Sequence, residues 1–274
     1  MSADAQGSGR GSAGTGAPAA GLAVELRDAL IDRLTAMADD ELLLGHRDSE
    51  WTGHGPLLEE DIALANLAQD EIGHALLWYG LRAELDGSDP DDLAFRRDPG
   101  GFRSCLLVEL PRGDWAFTML RQFLFDCYEA EALPRLARSS HAPLAEAAAK
   151  ALREELFHLR HAGLWARRLG LGTAESRSRA LAALSELWPA LGGLLAPLPG
   201  DGLLAAEGVL PDWDALPAAT LRRAREALAA ASLDPGPDPA RRDAADRGAA
   251  SAHRVELLAT MQSVARADPE ALAW

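Results

Sequence analysis

Cysteine is nearly absent from this chain: Cys105 and Cys127 are the only two in 274 residues. Two thiols build neither a disulfide framework nor a zinc cluster, and they suit a reducing compartment where both are buried and inert. Lysine is scarcer still, with Lys150 alone beside an all-Arg remainder of the positive charge. β-Branched residues are few next to Ala, Leu, Arg and Glu, which disfavours strands and favours helices. No apolar run reaches the length of a membrane span and the N-terminus lacks an apolar signal core, so the expected location is cytoplasmic. Walker, Rossmann, Cys-x-x-Cys and nucleophile-elbow patterns are all missing. Positive charge is in deficit overall. A formal net charge of -15 argues against general nucleic-acid or membrane-surface binding, while leaving room for a local basic pocket.

What is present is apolar and helical. Hydrophobic residues make up 48% of the chain, enough for one large core. The Gly/Ala/Ser-rich stretch 1–20 reads as a disordered tail. Residues 21–274 then read as a single helical domain. Its core helices are expected at about 22–47, 58–86, 114–138 and 142–169, so that the bundle spans about 22–170. Leu30, Leu34, Met37, Glu41 and Leu44 share a face of the first. The second carries Ile62, Ala65, Leu67, Ile72, Ala75, Leu76 and Tyr79. A long connection, 87–113, separates the hairpins, and within it Leu106–Leu110 is expected to dock as an extended segment. A third-helix bend is expected at Pro134. Further helices are expected at about 173–196, 214–231 and 248–265, with a Pro/Gly corner at 197–202 and a mobile stretch at 234–246. Four core helices joined by one long crossover give an all-α, ferritin-like four-helix bundle with additional C-terminal helices.

Two copies of one pattern point to chemistry. Asp70-Glu71-Ile72-Gly73-His74 and Glu154-Glu155-Leu156-Phe157-His158 each read acid-Glu-x-x-His. Residues three apart share a helix face, so each Glu and its His point the same way. Two such pairs on facing helices, with one acid from each of the other two, form the shell of a dinuclear carboxylate site. Glu41 lies thirty residues before Glu71, and Asp126 lies twenty-nine before Glu155. The two hairpins therefore repeat one layout. Glu129 and Glu131 are alternatives to Asp126, with Glu129 the better one because it lies one turn on. An isolated Glu-x-x-His arises readily by chance in a Glu-rich chain. Two mid-helix copies in apolar surroundings do not, and buried acids without a cation are costly. Oxygen and imidazole donors of this kind suit iron or manganese. Asp70 and Glu154 are candidate acceptors for the outer ring N–H of the metal-binding histidines, or else solvated helix charges.

Other residues fit blander roles. Tyr79 and Tyr128 could line a cavity but read as packing residues. Trp51, Trp78, Trp115 and Trp165 read as core or partner anchors. His46, His54, His141, His161 and His253 match no ligand spacing. Arg96-Arg97, Arg167-Arg168 and Arg222-Arg223 read as solvated faces.

The chain resembles the subunits of phenylacetyl-CoA epoxidase (ring 1,2-phenylacetyl-CoA monooxygenase) over most of residues 25–274. The carriers are Glu41 with Ser49-Glu50-Trp51, Leu64-Ala65-Asn66, Asp70–His74, Leu93-Ala94-Phe95-Arg96-Arg97-Asp98 and Leu106-Leu107-Val108-Glu109-Leu110-Pro111. Arg121-Gln122, Asp126, His158-Leu159-Arg160 and Trp274 continue it. Scaffold, crossover and C-terminus resemble the PaaC subunit. Familiar PaaC subunits have lost metal ligands, with Leu often at the position of Glu71 and Gln at that of His74. Here both motifs are similar to the catalytic PaaA pattern instead. Carried over, that pattern implies Glu41, Glu71, His74, Asp126, Glu155 and His158 as ligands of two irons, and favours Asp126 over Glu129. The resemblance further implies O2-dependent ring epoxidation of a CoA thioester, a PaaA-like catalytic partner and a separate electron-transfer reductase. It leaves two other roles to be weighed: a non-catalytic scaffold with vestigial ligands, or ferritin-like iron or peroxide handling.

Overall fold

The computed structural model describes residues 22–240, 242 and 245–268; the expected N-terminal tail and Trp274 lie outside the described residues. All described secondary structure is helical. Four long helices dominate: α1 (Val24–Ser49), α2 (Leu58–Asp86), α5 (Trp115–Leu136) and α6 (Ala142–Leu171). Between α2 and α5 run two short ones, α3 (Pro90–Phe95) and α4 (Leu106–Glu109). Helix α1 packs along α2, and α5 along α6, so two hairpins joined by the crossover face each other. This is the ferritin-like connectivity.

Local chemistry sets the ends of these helices. Gly87, at φ +75°, stops α2 in the left-handed region that glycine adopts without strain. Asp114 caps α5 by accepting from the Phe117 N–H at 2.9 Å. Pro134 sits inside α5, which nevertheless continues to Leu136.

Burial differs between the two kinds of core helix. Apart from Gly170 at its end, the buried positions on α6 are Leu144, Ala148, Ala151, Glu155, His158, Ala162, Ala166 and Leu169. That is one stripe at a spacing of three and four, as an amphipathic helix requires. Glu155 and His158 occupy core positions of the stripe, and Glu71 and His74 do the same on α2. By contrast, α1 is buried without a break from Arg33 to Gly45, and α5 from Ala116 to Ala130. Those two helices are covered from outside. Helices α7 (Ala174–Leu194) and α9 (Leu216–Ala230) lie on α5, while α4 and α8 (Asp201–Ala206) lie on α1. The outer faces of α2 and α6 stay open, and Ile62, Ile72 and Leu76 are exposed there, not in the core.

The crossover departs from expectation. Leu106–Glu109 forms one helical turn, not an extended segment, with Leu107, Val108 and Glu109 buried. The turn aims Glu109 at Arg254 of α11 (Ala252–Met261), whose Nε donates to Glu109 Oε1 at 2.9 Å. Arg254 also donates to the carbonyls of Pro99, Phe102, Ser104 and Arg247 at 2.8–3.2 Å. Arg247, in α10 (Ala245–Gly248), donates to Asp40 Oδ2 at 2.8 Å and to the Arg103 carbonyl at 2.9 Å. Arg97 is likewise no solvated residue: it pairs with Asp39 and donates to the Tyr79 hydroxyl at 2.7 Å. The expected helix at 248–265 is broken at Gln262, with α12 (Ser263–Ala267) beyond it. Gln262 turns inward to donate to the carbonyls of Ala94 and Arg97 at 3.1 and 3.0 Å. The corner at 197–202 opens into α8. The stretch expected to be mobile carries contacts where it is described: Trp188 Nε1 donates to the Pro237 carbonyl at 2.7 Å.

Candidate metal centre

The two hairpins meet on a cluster of buried acids and histidines. Within it, Glu71, Asp126, Glu155 and His158 each offer a ligand atom, and these atoms lie within 4.8 Å of one another. Glu41, Glu71 and His74 form a second such group. Glu71 belongs to both. Glu155 touches both histidines, its Oε1 lying 3.1 Å from His158 Nδ1 and 3.3 Å from His74 Nδ1. His74 Nδ1 is also 3.2 Å from Glu41 Oε2, and His158 Nδ1 is 3.5 Å from Glu71 Oε1. Gly45 lets α1 close on α2 at this level, since a Cβ there would come within 3.0 Å of Glu71 Cβ and 2.9 Å of the Ala68 carbonyl oxygen.

Each ring turns its second nitrogen outward to the opposite hairpin. His74 Nε2 lies 2.8 Å from Glu154 of α6, and His158 Nε2 lies 3.1 Å from Asp70 of α2. A carboxylate on Nε2 fixes the proton there and leaves the Nδ1 lone pair facing inward, as a ligand needs.

The inner atoms fit a dinuclear metal. Glu71 Oε2, Asp126 Oδ2, Glu129 Oε2 and Glu155 Oε2 are all buried without a hydrogen-bond partner. So many unpaired oxygens in one apolar interior would each be costly. A pair of cations would satisfy them together.

Protons carry part of that compensation in the metal-free protein. Burial pushes Glu41 up to about 7, against the opposing pull of His74. Burial and the Glu155 charge raise Glu71 and Asp126. Burial alone would lower both histidines, but the surrounding carboxylates raise them instead. Burial opposes ionisation of Glu155 too, yet hydrogen bonds from His158 and His74 hold it down at about 2.

Related sequences give this cluster a context. The sequence pattern of the phenylacetic acid catabolic protein family, shared by PaaA and PaaC, matches residues 16–274. The chain belongs to that family. The C subunit of the 1,2-phenylacetyl-CoA epoxidase of Escherichia coli (strain K12) is 36% identical over 244 residues, which is 87% of this chain and 98% of the relative. The A subunit of that epoxidase is 27% identical over 166 residues, 60% of this chain and 53% of the relative.

Beyond the residues implied by the family pattern, the structure separates the rivals for the third-helix acid. Glu131 is held away from the cluster by Arg223 at 2.6 Å and Arg135 at 3.0 Å. Glu129 is buried but belongs to neither group of ligand atoms. The roles of two groups that hold cluster carboxylates, and of one further buried acid, escaped the sequence reading. Gln122 Nε2 donates to Glu71 Oε1 and to Asp126 Oδ1, both at 2.7 Å. Trp78 Nε1 donates to Glu41 Oε1 at 2.8 Å. Asp48 is buried 3.4 Å from Arg121, and burial raises it to about 7. Helical spacing was the available signal for two of them, because Gln122 lies four residues before Asp126 and Trp78 four after His74. Cys105 and Cys127 are free and buried, with burial pushing both thiols up.

Proposed function

We propose that this chain is a subunit of a phenylacetyl-CoA 1,2-epoxidase of aerobic phenylacetate breakdown and that it holds a di-iron centre of its own. Glu41, Glu71, His74, Asp126, Glu155 and His158 would hold the two irons. The carrying observation is the convergence of both acid-Glu-x-x-His motifs, Glu41 and Asp126 on one buried cluster of ligand atoms, with Glu71 Oε2, Asp126 Oδ2 and Glu155 Oε2 lacking a hydrogen-bond partner. Iron, when bound, supplies the reduction and activation of O2 for ring epoxidation. The chain's own residues orient and seal. Asp70 and Glu154 fix the imidazoles, Gln122 holds Glu71 against Asp126, and Trp78 holds Glu41. The apolar stripes of α2 and α6 exclude bulk water. A separate electron-transfer reductase, a PaaA-like catalytic partner and a CoA-thioester substrate complete the assignment.

Iron loading of the purified chain under anaerobic conditions, with Glu71→Ala and His158→Ala as controls, tests the centre. Two irons per chain are expected, lost in both variants, and a protein that stays iron-free sinks the catalytic reading. O2-dependent turnover of phenylacetyl-CoA, with and without the PaaA-like partner and reductase, tests the reaction.

A second reading has its own support. The match to the epoxidase's C subunit runs nearly the full length of that relative, while the match to its A subunit covers about half. The outer faces of α2 and α6 also expose Ile72, Leu76, Leu156, Phe157 and Leu164, an apolar surface suited to a partner chain. In this reading the chain is a scaffold, and full turnover by the complex after Glu71→Ala here would favour it.

A further inference from the structure

We propose that Glu129 is a fifth carboxylate of the metal centre, serving the metal held by Glu41 and His74; this rests on the dinuclear reading above. The two groups of ligand atoms are unequal. Asp126, Glu155, Glu71 and His158 make four ligands on one side, while Glu41, His74 and the shared Glu71 make three on the other. Glu129 stands outside both groups, but on the same face of α5 as Asp126, one turn further on. It is 2% exposed, and its Oε2 has no hydrogen-bond partner. Burial raises its carboxyl well above the ordinary range, and the charges of Glu41, Glu155 and Glu71 raise it further.

The energetics make a purely structural role costly. Two residues on, Glu131 is matched by two arginines. Glu129 has no Arg or Lys within ion-pair distance among the described residues. The nearby histidines are already engaged by Glu41, Glu71 and Glu155. A buried acid added to four others, with no cation of its own, must hold a proton unless a cation arrives. A flexible Glu can reach further than the shorter Asp126, so the extra methylene and the extra turn together suit it to the poorer half of the site.

Anaerobic titration of the full-length, metal-free chain with Co(II) distinguishes the possibilities, read by calorimetry and by the visible Co(II) spectrum. Wild type is expected to take up two ions. Glu129→Gln, which preserves shape, should weaken one of the two sites by at least ~10-fold, comparable to loss of a supporting ligand, and alter the spectrum of that ion alone. Glu131→Gln should change neither site. Asp126→Asn should weaken the other site. Two ions bound with unchanged affinity and spectrum in Glu129→Gln overturn this inference and leave the dinuclear reading standing. No ion bound by wild type overturns both. If Glu129→Gln does not fold, by circular dichroism, Glu129→Asp replaces it: the charge stays but withdraws, and the same selective loss is expected. Wild-type affinities in Glu129→Asp would then count against the proposal.

Discussion

His74 on α2 and Glu154 on α6 meet across the bundle at 2.8 Å, although both helices otherwise hold their places by packing on α1 and α5. His158 and Asp70 repeat the contact in the opposite sense at 3.1 Å. Each hairpin thus supplies one histidine of the cluster and the carboxylate that faces the other hairpin's histidine. Asp70 and Glu154 remain 40% and 45% exposed at the side chain, so their value lies in orientation more than in stability. Glu154→Gln and Asp70→Asn should leave the melting temperature of the metal-free protein nearly unchanged. Each should weaken metal binding by about 10–100-fold. Chelator competition on the two variants measures this, and wild-type affinity in both would remove the orienting role.

Acidity should work against the centre in a definite direction. The folded state raises Glu41 and Asp48 from ordinary carboxylate values to about 7, chiefly by burial. It therefore holds protons that the unfolded chain has released above about pH 4.5, and stability falls as pH rises through that window. His74 and His158 are raised by their carboxylates, so their contribution is complete below about 6.5, the free imidazole value, and fades as pH climbs above it. Glu155 acts the other way, but only as pH falls below the ordinary carboxylate range towards 2. Between pH 5 and 8 the metal-free protein should accordingly lose melting temperature. Metal uptake must expel the same protons, so affinity should rise over that range. Thermal melts with chelator, and calorimetry in buffers of different ionisation enthalpy, check the two halves. A metal-free protein that gains stability from pH 5 to 8 would contradict the assignment of these protons.

The C-terminal arginines carry the crossover. Arg254 is fully buried and joins Glu109 to four backbone carbonyls. Removing one member of such a pair strands a buried charge. Arg254→Met should therefore cost about 3–5 kcal/mol by denaturant unfolding. Metal content per folded molecule should stay the same, because none of these groups touches the cluster. Loss of metal without loss of stability would place Arg254 in the site instead.

Much of this was legible in the sequence, for physical reasons that also mark its limits. The α6 stripe could be read because Leu144, Ala148 and Ala151 continue into Glu155 and His158 at unbroken helical spacing, which makes charged residues in core positions conspicuous. Glu41 and Asp126 stood out as candidates because the hairpins repeat one interval. On α1 and α5 no stripe exists, since the crossover helix α4 and the later helices α7, α8 and α9 cover their outer faces. There, periodicity cannot say which of Asp126, Glu129 and Glu131 turns inward; the answer depends on Arg223, nearly a hundred positions away in sequence. Gln122 was hidden for a similar reason, because an amide becomes informative only when two carboxylates are seen on either side of it. The Leu106–Glu109 turn was misread as extended because four apolar-rich residues carry no period. Its helical form follows from a tertiary partner, Arg254.

The open faces of α2 and α6 decide between a self-sufficient chain and one built to work in a complex. Leu76 on α2 and Phe157 on α6 are each 58% exposed, on the same helices as the part-exposed Asp70 and Glu154. Large apolar side chains so placed cost solubility unless another chain covers them. Leu76→Glu and Phe157→Glu should preserve fold and metal binding, because neither side chain belongs to the buried stripe. Each should weaken association with a PaaA-like partner by at least ~30-fold, the size expected for a central apolar anchor of about 2 kcal/mol. Covering this face would also take Asp70 and Glu154 out of water, strengthening their hold on His158 and His74. Partner binding should therefore tighten metal binding in wild type and lose that effect in Glu154→Gln. Sedimentation of the purified pair measures the first outcome, and metal titration with and without partner measures the second. Unimpaired association of both glutamate variants would move the interface to another face of the bundle.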